Sequence, residues 1–210
     1  IGGLEPGHLT VLAGQTSMGK TAYALNMTNN WIMNDKKILF VSLEMTDKEI
    51  TDRLIVMNSQ VPGRDFLKLT LNEIQIKNIN VAYNTLTDKA DNLDISYKRG
   101  LTVEDIKARC RKKYSSKKYD AVIVDYLQNI RLPTNHRSTN KQVGQQTLQL
   151  RELAGELEVP IILLSQLNRG VEGKPKLKHL RDSGEIEENA DEVWFVWRPE
   201  YTKDIEKQSN

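Results

Sequence analysis

Residues 13–21 read AGQTSMGKT. Gly14 and Gly19 bracket four residues, and Lys20 and Thr21 follow directly. Each part of that pattern has a physical task. Glycine lets the backbone wrap an anion with no Cβ in the way. Successive N–H groups and a helix N-terminus then point at a phosphate. In such a loop Lys20 reaches the β- and γ-phosphates, and the Thr21 hydroxyl ligates Mg²⁺. Gly14, Ser17, Met18, Gly19, Lys20, Thr21 and Ala22 are therefore the candidate nucleotide-binding residues.

The loop sits in the context that it requires. HLTVLA (8–13) reads as a strand before it, and residues 20–34 read as a helix after it. Further strand candidates are KILFVSL (37–43), INVAY (79–83), DAVIVD (120–125), PIILLS (160–165) and EVWFVW (192–197). Several are nearly unbroken apolar runs, as strands covered on both faces should be. Between them lie helix candidates. Thr46 and Glu49, Thr70 and Glu73, and Thr102 and Asp105 each have capping-box spacing. A long helix is expected over about 140–158, with Leu148, Leu150, Leu153, Ala154 and Leu157 at roughly helical spacing. This alternation predicts an α/β fold, a mainly parallel twisted sheet with helices on both faces. Residues 131–140 and 168–184 read as polar loops.

Parallel strands end on one edge, and ligands bind beyond their carboxyl ends. Three strands besides the first carry a polar residue to that rim: Glu44 after FVSL, Asp125 at the end of AVIVD, and Gln166 after IILLS. A carboxylate directly after an apolar strand is expensive if merely buried. Asp125 fits the acidic residue that holds Mg²⁺. Glu44 fits a general base for the attacking water. Gln166 can donate and accept, which suits reading a γ-phosphate or positioning water. Helix capping is the plainer alternative for each.

The bulk numbers set limits. The chain has 210 residues, 39% apolar and 28% charged, with a formal net charge of +2. That suits one ordinary globular domain and excludes a uniformly basic nucleic-acid coat. Cys110 is the sole cysteine, so an internal disulfide or multi-cysteine zinc site is excluded. His8, His136 and His179 are scattered and suggest no metal site. The apolar runs are too short to span a bilayer, and no signal peptide is visible. These features fit a reducing, cytoplasmic compartment. The abrupt start, IGGLEPG, reads as a piece cut from a longer protein.

GGLEPGHLTVLAGQTSMGKTAYALN, FVSLEM, AVIVDYLQ, PIILLSQLNR and HLRDSGEIEENADEVWFVWR together resemble the motif blocks of replicative hexameric DNA helicases of the DnaB type. The resemblance runs from residue 2 to about 198, and the whole of 1–210 is taken as one helicase ATPase domain. It implies a RecA-like P-loop core, ATP and Mg²⁺ as ligands, and a homo-hexameric ring around single-stranded DNA. By resemblance, Lys20 and Thr21 match the phosphate and metal residues, Glu44 the catalytic base, Asp125 the second metal residue and Gln166 the sensor. Arg181, Asp182 and Gly184 match the loop that holds DNA phosphates, although relatives often carry Glu where Asp182 stands. No Lys-x-Arg pair of the family's arginine-finger kind follows Trp197 in this sequence. The chain is expected either to be a fragment without that segment or to take its finger from elsewhere. It is also expected to be a fragment without the family's amino-terminal helical domain, which helps rings assemble and recruits primase. A helicase loader and primase are expected partners of the full-length protein in a bacterial cell; host, phage or plasmid origin stays open.

Asp182 or Ser183 can also cap a short helix, with Glu185 in capping-box register to Asp182. An ordinary helix-entry turn is the plain reading of that segment. Arg131, Arg137 and Lys141 on the 131–140 loop suit either a DNA channel or a solvated loop. KARCRKKYSSKKY (107–119) is the strongest basic run, but its charges spread around a helix, so a solvated face is the better reading. Cys110 within it reads as a packing residue, and Trp194 and Trp197 as core. Two functions of different class follow: a helicase motor, or a RecA-like ATP-binding module of recombinase or loader type that uses ATP for assembly. A small-molecule P-loop kinase is a third, without visible lid arginines.

Overall fold

The computed structural model describes residues 3–131, 139–168, 171, 173–180 and 183–199. The strands are β1 (Leu9–Gly14), β2 (Ile38–Ser42), β3 (Leu93–Tyr97), β4 (Ala121–Asp125), β5 (Ile161–Gln166) and β6 (Glu192–Phe195). They form one sheet in the order β3-β2-β4-β5-β1-β6, and each neighbouring pair is parallel. Every residue of β1, β2 and β4 is buried, which is why these stretches are apolar almost without interruption. Successive residues alternate between the two faces. Val11, Leu39, Val41, Val122 and Val124 enter one core, and Leu12, Phe40 and Ile123 enter the other.

The helices are α1 (Lys20–Met33), α2 (Asp47–Ser59), α3 (Gly63–Lys68), α4 (Glu73–Asp88), α5 (Val103–Ser116), α6 (Thr139–Leu157) and α7 (Ser183–Asn189). The first core takes Ile106 and Cys110 of α5, Leu150, Leu153 and Ala154 of α6, and Ile186 of α7. The second takes Ala24, Leu25 and Ile32 of α1 and Ile50 and Leu54 of α2, with α4 packed outside α2. Burying a Leu or Ile this fully stabilises by about 1.5–3 kcal/mol per side chain. Among the described residues no helix is long and apolar enough to cross a membrane.

Two of the expected capping boxes form. Thr46 and Glu49 open α2, and Thr102 and Asp105 open α5. The third does not form at Thr70 and Glu73. Asn72 caps α4 instead, with Gln75 closing the box at 2.9 Å in both directions. The larger correction concerns INVAY. Residues 79–83 are not a strand but the middle of α4. The missing strand is LDISY (93–97), which among the described residues pairs only with β2, at the sheet edge.

Candidate nucleotide site

Strand register builds the site. Gly14 stands opposite Gln166, and Ser42 opposite Asp125. The four adjacent strands β2, β4, β5 and β1 therefore finish at one rim. Glu44 lies just past the end of β2. A cavity of about 400 Å³ opens there, lined by Thr16, Ser17, Gly19, Lys20, Thr21, Ala22, Glu44, Met45, Arg53, Asp125, Tyr126 and Gln166. Every rim residue expected from sequence reaches it.

The loop after β1 turns by two left-handed residues, Ser17 at φ 63° and Gly19 at φ 96°. At Gly14 the need for glycine is contact rather than torsion. A Cβ there would lie 3.0 Å from both Lys20 Cγ and the Val196 carbonyl oxygen. Gly14 does not line the cavity; its carbonyl accepts from Lys20 Nζ at 2.7 Å, and that of Gln15 accepts at 3.0 Å. The ammonium is thereby held at the loop's mouth. Burial lowers the Lys20 pKa, against the opposing pull of Asp125 and Glu44. Met18 is only 2% exposed and packs away from the cavity, so its contribution to a ligand is backbone alone.

Thr21 Oγ1 donates to Asp125 Oδ2 at 3.0 Å. Asp125 is 2% exposed, and burial pushes its carboxyl up to about 6. The Thr21 hydrogen bond opposes that rise, nearby Glu44 adds to it, and Lys20 offsets part of it. A buried carboxyl beside a hydroxyl oxygen is a hard-donor pair that could hold Mg²⁺. No cluster of three or more His, Cys, Asp or Glu side chains that could hold a metal occurs among the described residues.

Gln166 Nε2 donates to Thr16 Oγ1 at 2.6 Å, so the end of β5 touches the phosphate loop directly. Sequence reasoning missed Thr16, Met45, Arg53 and Tyr126 as lining residues. Arg53 had one signal. It follows Glu49 by one turn on a helix that starts beside Glu44, so it faces the same rim.

The expected DNA contacts fare differently. Arg181 and Asp182 lie outside the described residues, as does Arg137. Gly184 is exposed on α7, away from the cavity, and a Cβ there would meet nothing within 4 Å. Arg131 and Lys141 are exposed. The basic run on α5 is largely paired: Arg111 grips Glu156 at 2.6 and 2.7 Å, and Lys113 and Lys117 reach Asp94. Cys110 is fully buried, and burial pushes its thiol up to about 12, so it is an inert packing residue. Trp194 packs partly against the core, as read. Trp197 does not; it is 36% exposed and flanks a second cavity beside Gly19, Tyr23 and Arg198.

A P-loop at the carboxyl edge of this sheet, facing the carboxylates at the ends of β2 and β4 and the carboxamide that ends β5, defines a RecA-like nucleotide-binding domain. The comparisons narrow the class. The family model of the DnaB-like helicase C-terminal domain matches residues 1–210. The chain is similar to the replicative DNA helicase DnaB of Buchnera aphidicola subsp. Schizaphis graminum, 35% identical over 204 residues, covering 94% of this chain and 44% of that protein. The DnaB of Haemophilus influenzae is 35% identical over 212 residues, covering 96% and 44%. Among solved structures, a DnaB-like replicative helicase described with its primase interactions superposes with a TM-score of 0.88 at 30% identity, covering 96% of this chain and 50% of that one. A second solved structure, described as an ATPase domain, gives 0.87 at 30% identity, covering 95% and 72%. The chain belongs to the DnaB-like helicase C-terminal domain family. It spans less than half the length of the curated relatives it matches.

Proposed function

We propose that this chain is the ATPase motor domain of a replicative DNA helicase. It hydrolyses ATP with Mg²⁺ and couples turnover to movement along single-stranded DNA and duplex unwinding. The observation that carries the reading is the convergence of Lys20, Thr21, Glu44, Asp125 and Gln166 on one cavity. Family membership favours the motor over an ATP-binding module that uses nucleotide only for assembly. The working form is a homo-hexamer, with primase and a loader as partners of the full-length protein in a bacterial cytoplasm.

Each residue has a task set by its chemistry. Backbone N–H groups of the loop and the start of α1 receive the β-phosphate. Lys20, poised on two carbonyls, exchanges them for phosphate oxygens. Thr21 and Asp125 would hold Mg²⁺, which when bound would neutralise charge on the phosphates. Glu44, at the cavity rim, accepts a proton from the attacking water. Gln166 leaves Thr16 to meet the γ-phosphate end, and, as the last residue of β5, passes that contact to the chain that continues toward residues 168–184. Arg181, Asp182 and Gly184 are proposed to meet DNA phosphates through backbone, a mode blind to sequence and sensitive to salt.

The test is Glu44→Gln in the full-length protein, with forked-duplex unwinding and ATP turnover measured beside nucleotide binding. Turnover should fall by about 10²–10⁴-fold with binding retained. Undiminished turnover removes Glu44 as the base. Turnover that single-stranded DNA never stimulates, without unwinding, sinks the motor.

A further inference from the structure

The β4–β5 ladder stops at Val124 opposite Leu163. β5 continues through Leu164, Ser165 and Gln166, paired on its other edge with β1. On the β4 side the main-chain groups of Gln166 have no strand to meet. A side chain takes its place. The Gln166 N–H donates to Gln128 Oε1 at 3.0 Å. Gln128 Nε2 donates to Ser165 Oγ at 3.0 Å and lies 3.4 Å from the Gln166 carbonyl oxygen. One carboxamide thus accepts from and donates to the same residue, as a neighbouring strand would.

Gln128 is well placed to act as a rigid arm. It lies in a short 3-10 turn, Leu127–Asn129, directly after β4 and close in sequence to Asp125. Leu127 is 1% exposed and anchors that turn in the core. Gln128 itself is not among the cavity-lining residues. Its bonds are to the backbone of Gln166 and the buried hydroxyl of Ser165.

We propose that Gln128 is a positioning residue that locks the end of β5 to the end of β4. It holds the Gln166 side chain at a fixed place relative to Asp125, so that the two approach one triphosphate as a single body. The proposal rests on the reading that Asp125 and Gln166 act on ATP. Geometry alone sets the expected effect, since misplacing a reacting group by about 1 Å can lower turnover by about 10²-fold.

The experiment measures DNA-stimulated kcat and nucleotide affinity for four variants of the full-length protein: Gln128→Leu, Gln128→Glu, Gln166→Ala and the Gln128→Leu/Gln166→Ala pair. Leu keeps the volume and removes every hydrogen bond; kcat should fall by up to about 10²-fold while affinity stays within about threefold. Glu keeps the acceptor for the Gln166 N–H and lets the Ser165 hydroxyl turn to donate, so it should recover most of kcat. If Gln128 acts through Gln166, the pair should be no slower than Gln166→Ala alone. Should Gln128→Leu not fold, Gln128→Asn replaces it, because its amide falls one methylene short and should lose kcat likewise. Unchanged kcat, full additivity in the pair, or equal loss of kcat and affinity would each overturn the proposal. A wild-type protein that binds nucleotide but never turns it over sinks the proposed function instead.

Discussion

Asp125→Asn should stabilise the nucleotide-free, metal-free fold, and the gain should depend on pH. The Asp125 carboxyl is held up to about 6 in the folded chain. An unfolded aspartate titrates near ~3.9. The folded state therefore binds the proton more tightly, and ionisation works against folding. The sign is the reverse of an ion-paired carboxylate: stability is greatest below the unfolded pKa and is lost as pH rises through the folded one. About two pKa units correspond to about 3 kcal/mol lost by pH ~8, of which about 1 kcal/mol is already lost at pH ~4.5. Asparagine does not titrate and still accepts from Thr21. Any constant cost of the amide cancels between the two pH values, leaving a difference of about 2 kcal/mol in the variant's favour. For a domain of this size that is about 4–8 °C in Tm. Thermal unfolding in chelator at both pH values measures it. A gain equal at the two pH values, or larger at the lower one, refutes the burial argument. Adding Mg²⁺ with nucleotide should then raise the wild-type Tm far more than that of the variant.

Gly144→Ala places a Cβ 2.5 Å from Glu185 Cβ, so α7 must move off α6. The helix-propensity gain of about 1 kcal/mol is outweighed by overpacking of about 1–3 kcal/mol. Unfolding should show a net loss that Glu185→Gly repairs, with single-stranded DNA retention by the full-length protein reduced and nucleotide affinity unchanged. Gly14→Ala, by crowding Lys20 Cγ at 3.0 Å, should weaken nucleotide binding by about tenfold in a fluorescence titration. Thr102→Ala removes the cap of α5, far from the cavity; it should cost about 1 kcal/mol in urea unfolding and leave nucleotide affinity alone.

The site was legible because its parts are strand ends. A strand buried on both faces is apolar almost throughout, so a carboxylate or carboxamide at its end stands out, and parallel pairing sends all such residues to one edge. Glu44, Asp125 and Gln166 were found this way. The same logic fails at the sheet's margin. β3 has one neighbour and is only half-buried, so Asp94 and Ser96 break its apolar pattern. INVAY misled for the opposite reason. Ile79, Val81 and Tyr83 alternate with polar or small residues and favour strands locally, yet Val81 and Tyr83 are 58% and 56% exposed on α4. Propensity competed with the Asn72–Gln75 cap, and the cap won. Gln128 left no such mark. Its importance depends on where the β4–β5 ladder stops, a property of register rather than composition.

Register also explains how the phosphate loop is braced. β1 lies between β5 and β6, and the chain from 167 to 191 joins those two strands. On one side Gln166 bonds Thr16 at 2.6 Å. On the other, the Val196 N–H donates to the Ala13 carbonyl at 2.8 Å, and the Val196 carbonyl closes against Gly14. The phosphate loop is thus braced from both flanks, by the end of β5 and by the residue after β6, while α7, seated on Gly144, packs against α6. β1, which lies between β5 and β6, ends in the Gly14 carbonyl that accepts from Lys20 Nζ at 2.7 Å, so a load on Lys20 reaches both strands together.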